Sequence, residues 1–177
     1  MKLLFSSLCL IFSFLSLNVL AQSFQKIPEA GCSVYFPSSM EQTSKTSEGP
    51  VGELVVHIFK GEQEVNKQKI KYTLQFCDFP EGAIHHDSTD FLNEFFAATI
   101  DASASSILGT IDYSDNVKIQ GYPGMIWRIS FDKGKGLVKS KALVKGTRYI
   151  NMKVEYPASS AFHPDIDKFL DSIRFDE

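Results

Sequence analysis

The sequence predicts a single α+β domain in which an antiparallel β-sheet is flanked by helices. Over residues 125–156, apolar and polar side chains alternate in three runs joined by the short turns KGKG and KGTR, which is typical of an antiparallel meander. Residues 88–106 instead repeat apolar side chains at helical spacing, and a shorter helical pattern begins at Asp165. The 177 residues, 44% of them apolar, suffice for one sizeable core and leave little room for a second domain.

Residues 1–21 have the features of a signal peptide. Lys2 precedes a long apolar run, and the run closes on the small residue Ala21. A retained anchor helix is the alternative, because the uncharged run is nearly long enough to cross a bilayer, but serines dilute it and no basic stop-transfer cluster follows. We expect cleavage near Ala21/Gln22, one mature domain over 22–177, export to the periplasm or outside the cell, and no stable membrane insertion afterwards.

The first half of the mature chain is predicted to hold three strands and the longer helix. A short strand over 33–36 ends at Pro37, and the polar segment 37–50 is expected to be a surface loop. Strands over 52–59 and 69–77 follow, joined by a hairpin connection at 61–68. A turn at 80–82 and capping residues at 87–89 precede the helix. The core-facing residues of that helix are predicted to be Phe91, Leu92, Phe95, Phe96 and Ile100.

The second half is predicted to hold the meander and a short final helix. Residues 107–120 show no clear period, and a strand is expected only over 117–120. In the first meander strand the residues sharing one face are Met125, Trp127, Ile129 and Phe131. In the last strand the residues predicted to face the core are Ile150, Met152, Val154 and Tyr156, and those predicted to face away are Asn151, Lys153 and Glu155. One side of the sheet is therefore expected to be buried and the other to face water. The final helix, over about 165–171, is predicted to bury Ile166, Phe169 and Leu170.

Cys32 and Cys77 are the two thiols of the mature chain. Exported proteins enter an oxidising compartment, where such a pair is usually a disulfide. Both cysteines lie in apolar strand contexts that end in a Phe-Pro step. We therefore predict a Cys32–Cys77 disulfide. The alternative is two buried, unpaired thiols that pack as small hydrophobic side chains.

The segment CDFPEGAIHHD, residues 77–87, gathers a thiol, two imidazoles and two kinds of carboxylate. Its spacings match no structural zinc motif, and adjacent residues of an extended chain point to opposite sides. We interpret the segment as a turn followed by a helix cap and expect no metal and no other cofactor. The alternative is a small metal-dependent hydrolase that uses His85, His86 and Asp87, with further ligands such as His57 or His163.

Seven basic residues and no acidic residue occupy 133–153, in a chain whose 18 Lys and Arg face 21 Asp and Glu for a net charge of -3. This balance does not favour nucleic-acid binding. Lys139, Lys141 and Lys145 are predicted to share one face of one strand. That face is a candidate docking surface for an acidic partner or an anionic envelope component, and the alternative is a solvated face protected from aggregation by its lysines.

The order of these elements resembles the PsbP-like superfamily. The resemblance covers most of 24–177 and lies in the Phe-Pro step at 36–37, the hairpin, the middle helix, the meander entered through GYPG, and the ending KFLDSIRF. Gly121, Trp127, Tyr149 and 169–172 match structural positions of that superfamily, which includes photosystem extrinsic subunits, a yeast Ran-binding protein, small bacterial envelope proteins and secretion chaperones. The resemblance implies an α/β/α sandwich whose members mostly bind partners. Cys32, Cys77 and the IHHD loop belong to no pattern of that superfamily.

Function is predicted from these features together. The mature sequence has no G-x-S-x-G elbow, no H-E-x-x-H and no glycine-rich phosphate loop before a helix. We therefore expect an exported, non-catalytic binding or chaperone-like module of the cell envelope. Its expected partner is a protein or an anionic envelope ligand, with the small metal-dependent hydrolase as the alternative.

Overall fold

The computed structural model describes residues 23–49 and 51–176, which form ten β-strands and two α-helices. The strands are β1 (Ser23–Ile27), β2 (Cys32–Phe36), β3 (Met40–Gly49), β4 (Gly52–Val65), β5 (Gln68–Asp78), β6 (Thr110–Ile119), β7 (Tyr122–Phe131), β8 (Gly136–Lys145), β9 (Arg148–Pro157) and β10 (Arg174–Phe175). The helices are α1 (Thr89–Ser106) and α2 (Pro164–Leu170). Neither of these helices has the length and apolar content needed to cross a membrane. The predicted signal peptide, 1–21, lies outside the described residues.

The predicted α+β class, with helices flanking the sheet as an α/β/α sandwich, is wrong, because strands dominate and the fold is mainly β. Strand β3 occupies most of the predicted surface loop, and β6 occupies most of the stretch without a clear period. Both strands are edges of the large sheet. Edge strands remain largely in contact with solvent, so neither sequence shows the apolar alternation that marks a half-buried strand.

Seven strands form one antiparallel sheet in the order β3-β4-β5-β9-β8-β7-β6, and β1, β2 and β10 form a second, small sheet. The β4–β5 hairpin turns at Asn66 and Lys67, which both have positive φ, 51° and 62°. Two positive-φ residues give a turn whose twist matches the flanking strands. The predicted connection at 61–68 is therefore mostly strand, and only two residues turn.

The large sheet has a separate apolar core on each face. On one face, the predicted inward residues of β9 are buried against α2 and β2, and the buried apolar side chains of α2 are Ile166, Phe169 and Leu170, as predicted. On the other face Trp127 and Ile129 of β7 pack beneath α1. The buried residues of α1 are Leu92, Phe96, Ile100 and Ala104. Phe91, predicted to face the core, is instead 50% exposed.

Helix α1 begins and ends close to its predicted limits but leaves part of its sheet face uncovered. Ser88 is its N-cap residue, although its side chain makes no capping hydrogen bond, and Asp90 lies in the first turn as predicted. The helix ends at Ser106. Beyond that end, the face formed by β4, β5, β9 and β8 carries polar side chains in place of an apolar core.

Candidate binding groove

A polar groove lies on the α1 face of the large sheet, beyond the last turn of α1. Its narrow end has a volume of about 100 Å³ and is lined by side chains that include Gln75, Ser140 and Asn151. Its wide end has a volume of about 540 Å³. Lys153 and Glu155 line both cavities, so the two cavities adjoin along β9 and are together called the groove.

Strand register assembles this groove from distant parts of the chain. Lys60 lies opposite Thr73, Thr73 opposite Lys153, and Lys153 opposite Ser140. Gln75 likewise lies opposite Asn151 in the neighbouring row. Directly opposite residues project to the same face of a sheet, so these polar groups stand side by side across four strands. The sequence correctly placed Asn151 and Lys153 away from the β9 core face, but it gave no indication of their neighbours.

Lys153 is the central cation of the groove. Among the described residues, no carboxylate lies within salt-bridge distance of its ammonium, because Glu155 Oε1 is held instead by Lys71 Nζ at 3.1 Å. Burial lowers the pKa of Lys153 below its usual value, and the charges of Lys60, Lys45 and Lys71 lower it further, while Glu155 opposes the shift. The free protein therefore holds a partly desolvated, unpaired cation.

Asn151 provides the second unusual group. Its side chain is 4% exposed, and its Oδ1 atom has no hydrogen-bond partner in the described part of the chain. Leaving a buried polar atom unpaired costs about 1–3 kcal/mol. Nearly all buried polar groups in folded proteins form a hydrogen bond. An unpaired polar atom in the wall of a cavity therefore indicates a group that hydrogen-bonds to a bound molecule.

Two more buried polar atoms without partners lie in the described part of this same α1 face. They are Nε1 of Trp127 and the hydroxyl of Tyr149. Trp127 is directly opposite Ser140. Tyr149 is two residues before Asn151 and therefore lies on the same face of β9. Burial raises the pKa of the Tyr149 hydroxyl, so it stays protonated as a donor. The layer between α1 and the sheet therefore carries hydrogen-bonding capacity that the described residues leave unused.

The three lysines of the predicted docking surface lie on the opposite face, next to α2. They share one face of β8, as their spacing predicted. Lys139 Nζ donates to Asp167 Oδ1 at 2.6 Å, and Lys141 Nζ donates to Asp171 Oδ1 at 2.5 Å. The ammonium of Lys145 lies 4.2 Å from the centre of the Phe175 ring and 5.6 Å from that of Tyr122. These contacts join the lysines to α2, to the residue that follows it and to β10, and docking of a partner through them stays a prediction.

The structure brings His85, His86 and Asp87 together. Their ligand atoms lie within 4.8 Å of one another, because the loop turns sharply and does not run extended as the sequence argument assumed. Gly146 N–H, however, donates to His86 Nδ1 at 3.1 Å. This bond requires the neutral tautomer with its proton on Nε2, so neither ring nitrogen of His86 offers a free lone pair. His57 and His163, named as further ligands, are not members of this cluster.

The predicted Cys32–Cys77 disulfide is not formed in the structure, where both residues are buried free thiols. Cys32 of β2 belongs to the α2-side core, and Cys77 of β5 belongs to the α1-side core. Because the large sheet separates the two thiols, a bond between them would need a rearranged backbone. Burial raises the pKa of each thiol to about 11, which keeps both protonated at neutral pH.

Comparisons of the chain with protein-family models, with curated proteins and with solved structures find no match. The resemblance to the PsbP-like superfamily therefore stays a prediction. Support for any function comes from the chemistry of the chain's own residues.

Proposed function

We propose that this protein is an exported, non-catalytic binding or chaperone-like module of the cell envelope and that the polar groove receives its ligand. The observation that carries this proposal is the buried side-chain carbonyl of Asn151, which lacks a hydrogen-bond partner among the described residues and lies two residues along β9 from the unpaired Lys153 in the lining of the same cavity. A bound molecule that hydrogen-bonds to both groups removes two costs that the free protein bears. Ligand binding is thus favoured at the place where polar groups of the free protein lack hydrogen-bond or ion-pair partners.

The polar groups of the groove favour binding over bond cleavage. Among the described residues, the hydroxyls of Ser140 and Thr73 make no hydrogen bond to a histidine or a carboxylate. An activated nucleophile needs such a base within hydrogen-bond reach. The groove volume of about 540 Å³ at its wide end lies within the range of ordinary ligand pockets.

The proposal is tested by native mass spectrometry of protein recovered from the exported fraction of its own source. We expect a mature chain that begins at Gln22 and carries a bound molecule. Asn151→Leu should retain the fold and lose that molecule, whereas Asn116→Leu, at an exposed position of β6, should keep it. Retention by both variants would place the binding site elsewhere.

A small metal-dependent hydrolase at His85, His86 and Asp87 is the second candidate, and the convergence of the three ligand atoms is the observation that favours it. A metal bound there through His86 would have to displace the hydrogen bond that Gly146 N–H donates to His86 Nδ1. Calorimetric titration with Zn²⁺ tests it directly. Stoichiometric binding that disappears in His85→Ala, together with hydrolysis of a phosphate or ester substrate, would support the hydrolase. Absence of Zn²⁺ binding by the folded wild type would exclude it.

A further inference from the structure

We propose that the groove recognises a carboxylate at Lys153 and a hydrogen-bond donor of the same ligand at Asn151, which is the chemistry of a free amino or hydroxy acid or of a peptide C-terminus. This inference rests on the proposed function and adds to it the class of ligand.

The charge at Lys153 selects an anion. Its ammonium is unpaired among the described residues, and the lysines that surround it repel it. Glu155, the nearest acidic neighbour along the strand, is already engaged by Lys71 at 3.1 Å. An incoming anion would therefore find an ammonium that no internal carboxylate occupies.

The neighbours of Lys153 suit the two oxygens of a carboxylate. Thr73 and Ser140 lie directly opposite Lys153 on the strands to either side, about 4.8 Å away at the usual strand spacing. Both side chains are largely buried, at 9% and 1% exposure, and both line the groove. Each hydroxyl can donate one hydrogen bond, so the sheet surface on both sides of Lys153 offers a donor to a carboxylate that reaches it.

Acidic and basic residues line the same wide end of the groove. Glu41, Glu62 and Glu155 lie there together with Lys60, Lys71 and Lys153, so formal charges balance. Lys60, like Lys153, has no salt bridge among the described residues, but Lys60 is exposed whereas the ammonium of Lys153 is partly desolvated. The partly desolvated ammonium of Lys153 therefore gains more from pairing with an anion such as a carboxylate.

Asn151 adds the requirement for a donor. It is two residues from Lys153 on the same face of β9, about 7 Å along the strand. Its Oδ1 can only accept, so the ligand must present an N–H or O–H a few bonds from its carboxylate. An α-amino or α-hydroxy acid does so, and so does the last residue of a peptide with its amide N–H.

The fluorescence of Trp127 provides the readout, because it is the chain's single tryptophan and stands opposite Ser140. The probes are tri-alanine, tri-alanine with a C-terminal amide, free alanine and lactate, each titrated to millimolar concentration. We expect tri-alanine or one of the free acids to bind and the amide to bind at least about tenfold more weakly. Binding of tri-alanine alone would identify a peptide C-terminus, and equal binding of free alanine would identify a small acid.

Lys153→Met is the matched test, with Lys133→Met at an exposed turn as its control. We expect the first variant to lose at least about tenfold in affinity for the carboxylate probe and the second to lose none. If circular dichroism shows that Lys153→Met does not fold, Lys153→Gln replaces it in the same titration.

Two results would overturn the carboxylate inference: equal binding of acid and amide, or no binding of any acid probe by folded wild type. Equal binding that Asn151→Leu abolishes would leave the groove as a binding site and reject only the ligand class. Retention of the native ligand by Asn151→Leu would instead reject the proposed function.

Discussion

Arg148 holds Asp78 through two hydrogen bonds, Nε to Oδ1 at 2.6 Å and Nη2 to Oδ2 at 2.7 Å. The two residues are directly opposite each other on β9 and β5. The same guanidinium donates through Nη1 to the carbonyl of Glu29 at 2.9 Å, just before β2. The side chain of Arg148 thus joins the paired ends of β5 and β9 to the segment that links β1 and β2.

Arg148→Lys should destabilise the protein by about 1 kcal/mol, because Lys cannot form the two-pronged bond and the pair is partly exposed. Urea unfolding of the wild type and of Arg148→Lys measures the effect. The Arg148 hydrogen bonds lower the pKa of Asp78 below 3.8. The stabilisation is therefore present above pH 3.8 and is lost as the pH falls through the lowered value. An Arg148→Lys effect that stays constant into strong acid would contradict this role.

Lys153→Met should stabilise the ligand-free protein by about 1 kcal/mol, because it replaces a desolvated, unpaired cation with an apolar side chain of similar length. Thermal unfolding of both proteins at neutral pH measures the difference. The pKa of Lys153 is lower in the folded than in the unfolded state, where it is 10.5. Between the folded-state and the unfolded-state pKa of Lys153, the unfolded state therefore binds more protons. Over this pH range the free energy of unfolding of the wild type should rise with pH until it equals that of Lys153→Met. A destabilised Lys153→Met would mean that Lys153 supports the fold.

The free thiols predict a specific alkaline behaviour. Because burial raises the pKa of Cys32 and Cys77 from 9.0 to about 11, their contribution to stability is complete below pH 9.0 and is lost as the pH rises toward about 11. Native protein should react slowly with a thiol reagent, and denatured mature protein should expose two thiols. Cys32→Ala and Cys77→Ala should each reduce the alkaline loss. A mature mass two hydrogens lighter before reduction would instead establish the disulfide predicted from the sequence.

Charge reversal at Lys139 and Lys141 should weaken the attachment of α2. Lys139→Glu and Lys141→Glu each place a carboxylate against Asp167 or Asp171, and we expect each to cost about 1 kcal/mol, less at high salt. Chemical unfolding at low and high ionic strength measures this, and Lys133→Glu is the control because Lys133 lies at an exposed turn. Unchanged stability with loss of a bound partner would restore the docking interpretation of these lysines.

Local patterns were predicted from the sequence because they depend on neighbours two to four residues apart. The alternation at 150–156 correctly assigned the α2-side core face of β9, and helical spacing placed α1 and α2 within a residue or two of their observed limits. The prediction that the other face is wet is wrong, because α1 covers part of it and Asn151 is buried there. The same rule failed at Phe91, which is 50% exposed because it lies to one side of the buried stripe that begins at Leu92.

Only the tertiary structure shows which strands are edge strands, which residues pair across the sheet, and which side chains lie beneath α1. Strands β3 and β6 are polar because each has a neighbour on one side only, and nothing local distinguishes such a strand from a loop. The groove depends on pairing between β5 and β9, which places Thr73 beside Lys153 although 80 residues separate them along the chain. The sequence by itself determined which side chains of a meander strand share a face, because that is a property of adjacent residues. Which strands lie side by side, and hence where Lys153 and Asn151 lack partners, follows from long-range packing that a single sequence does not display.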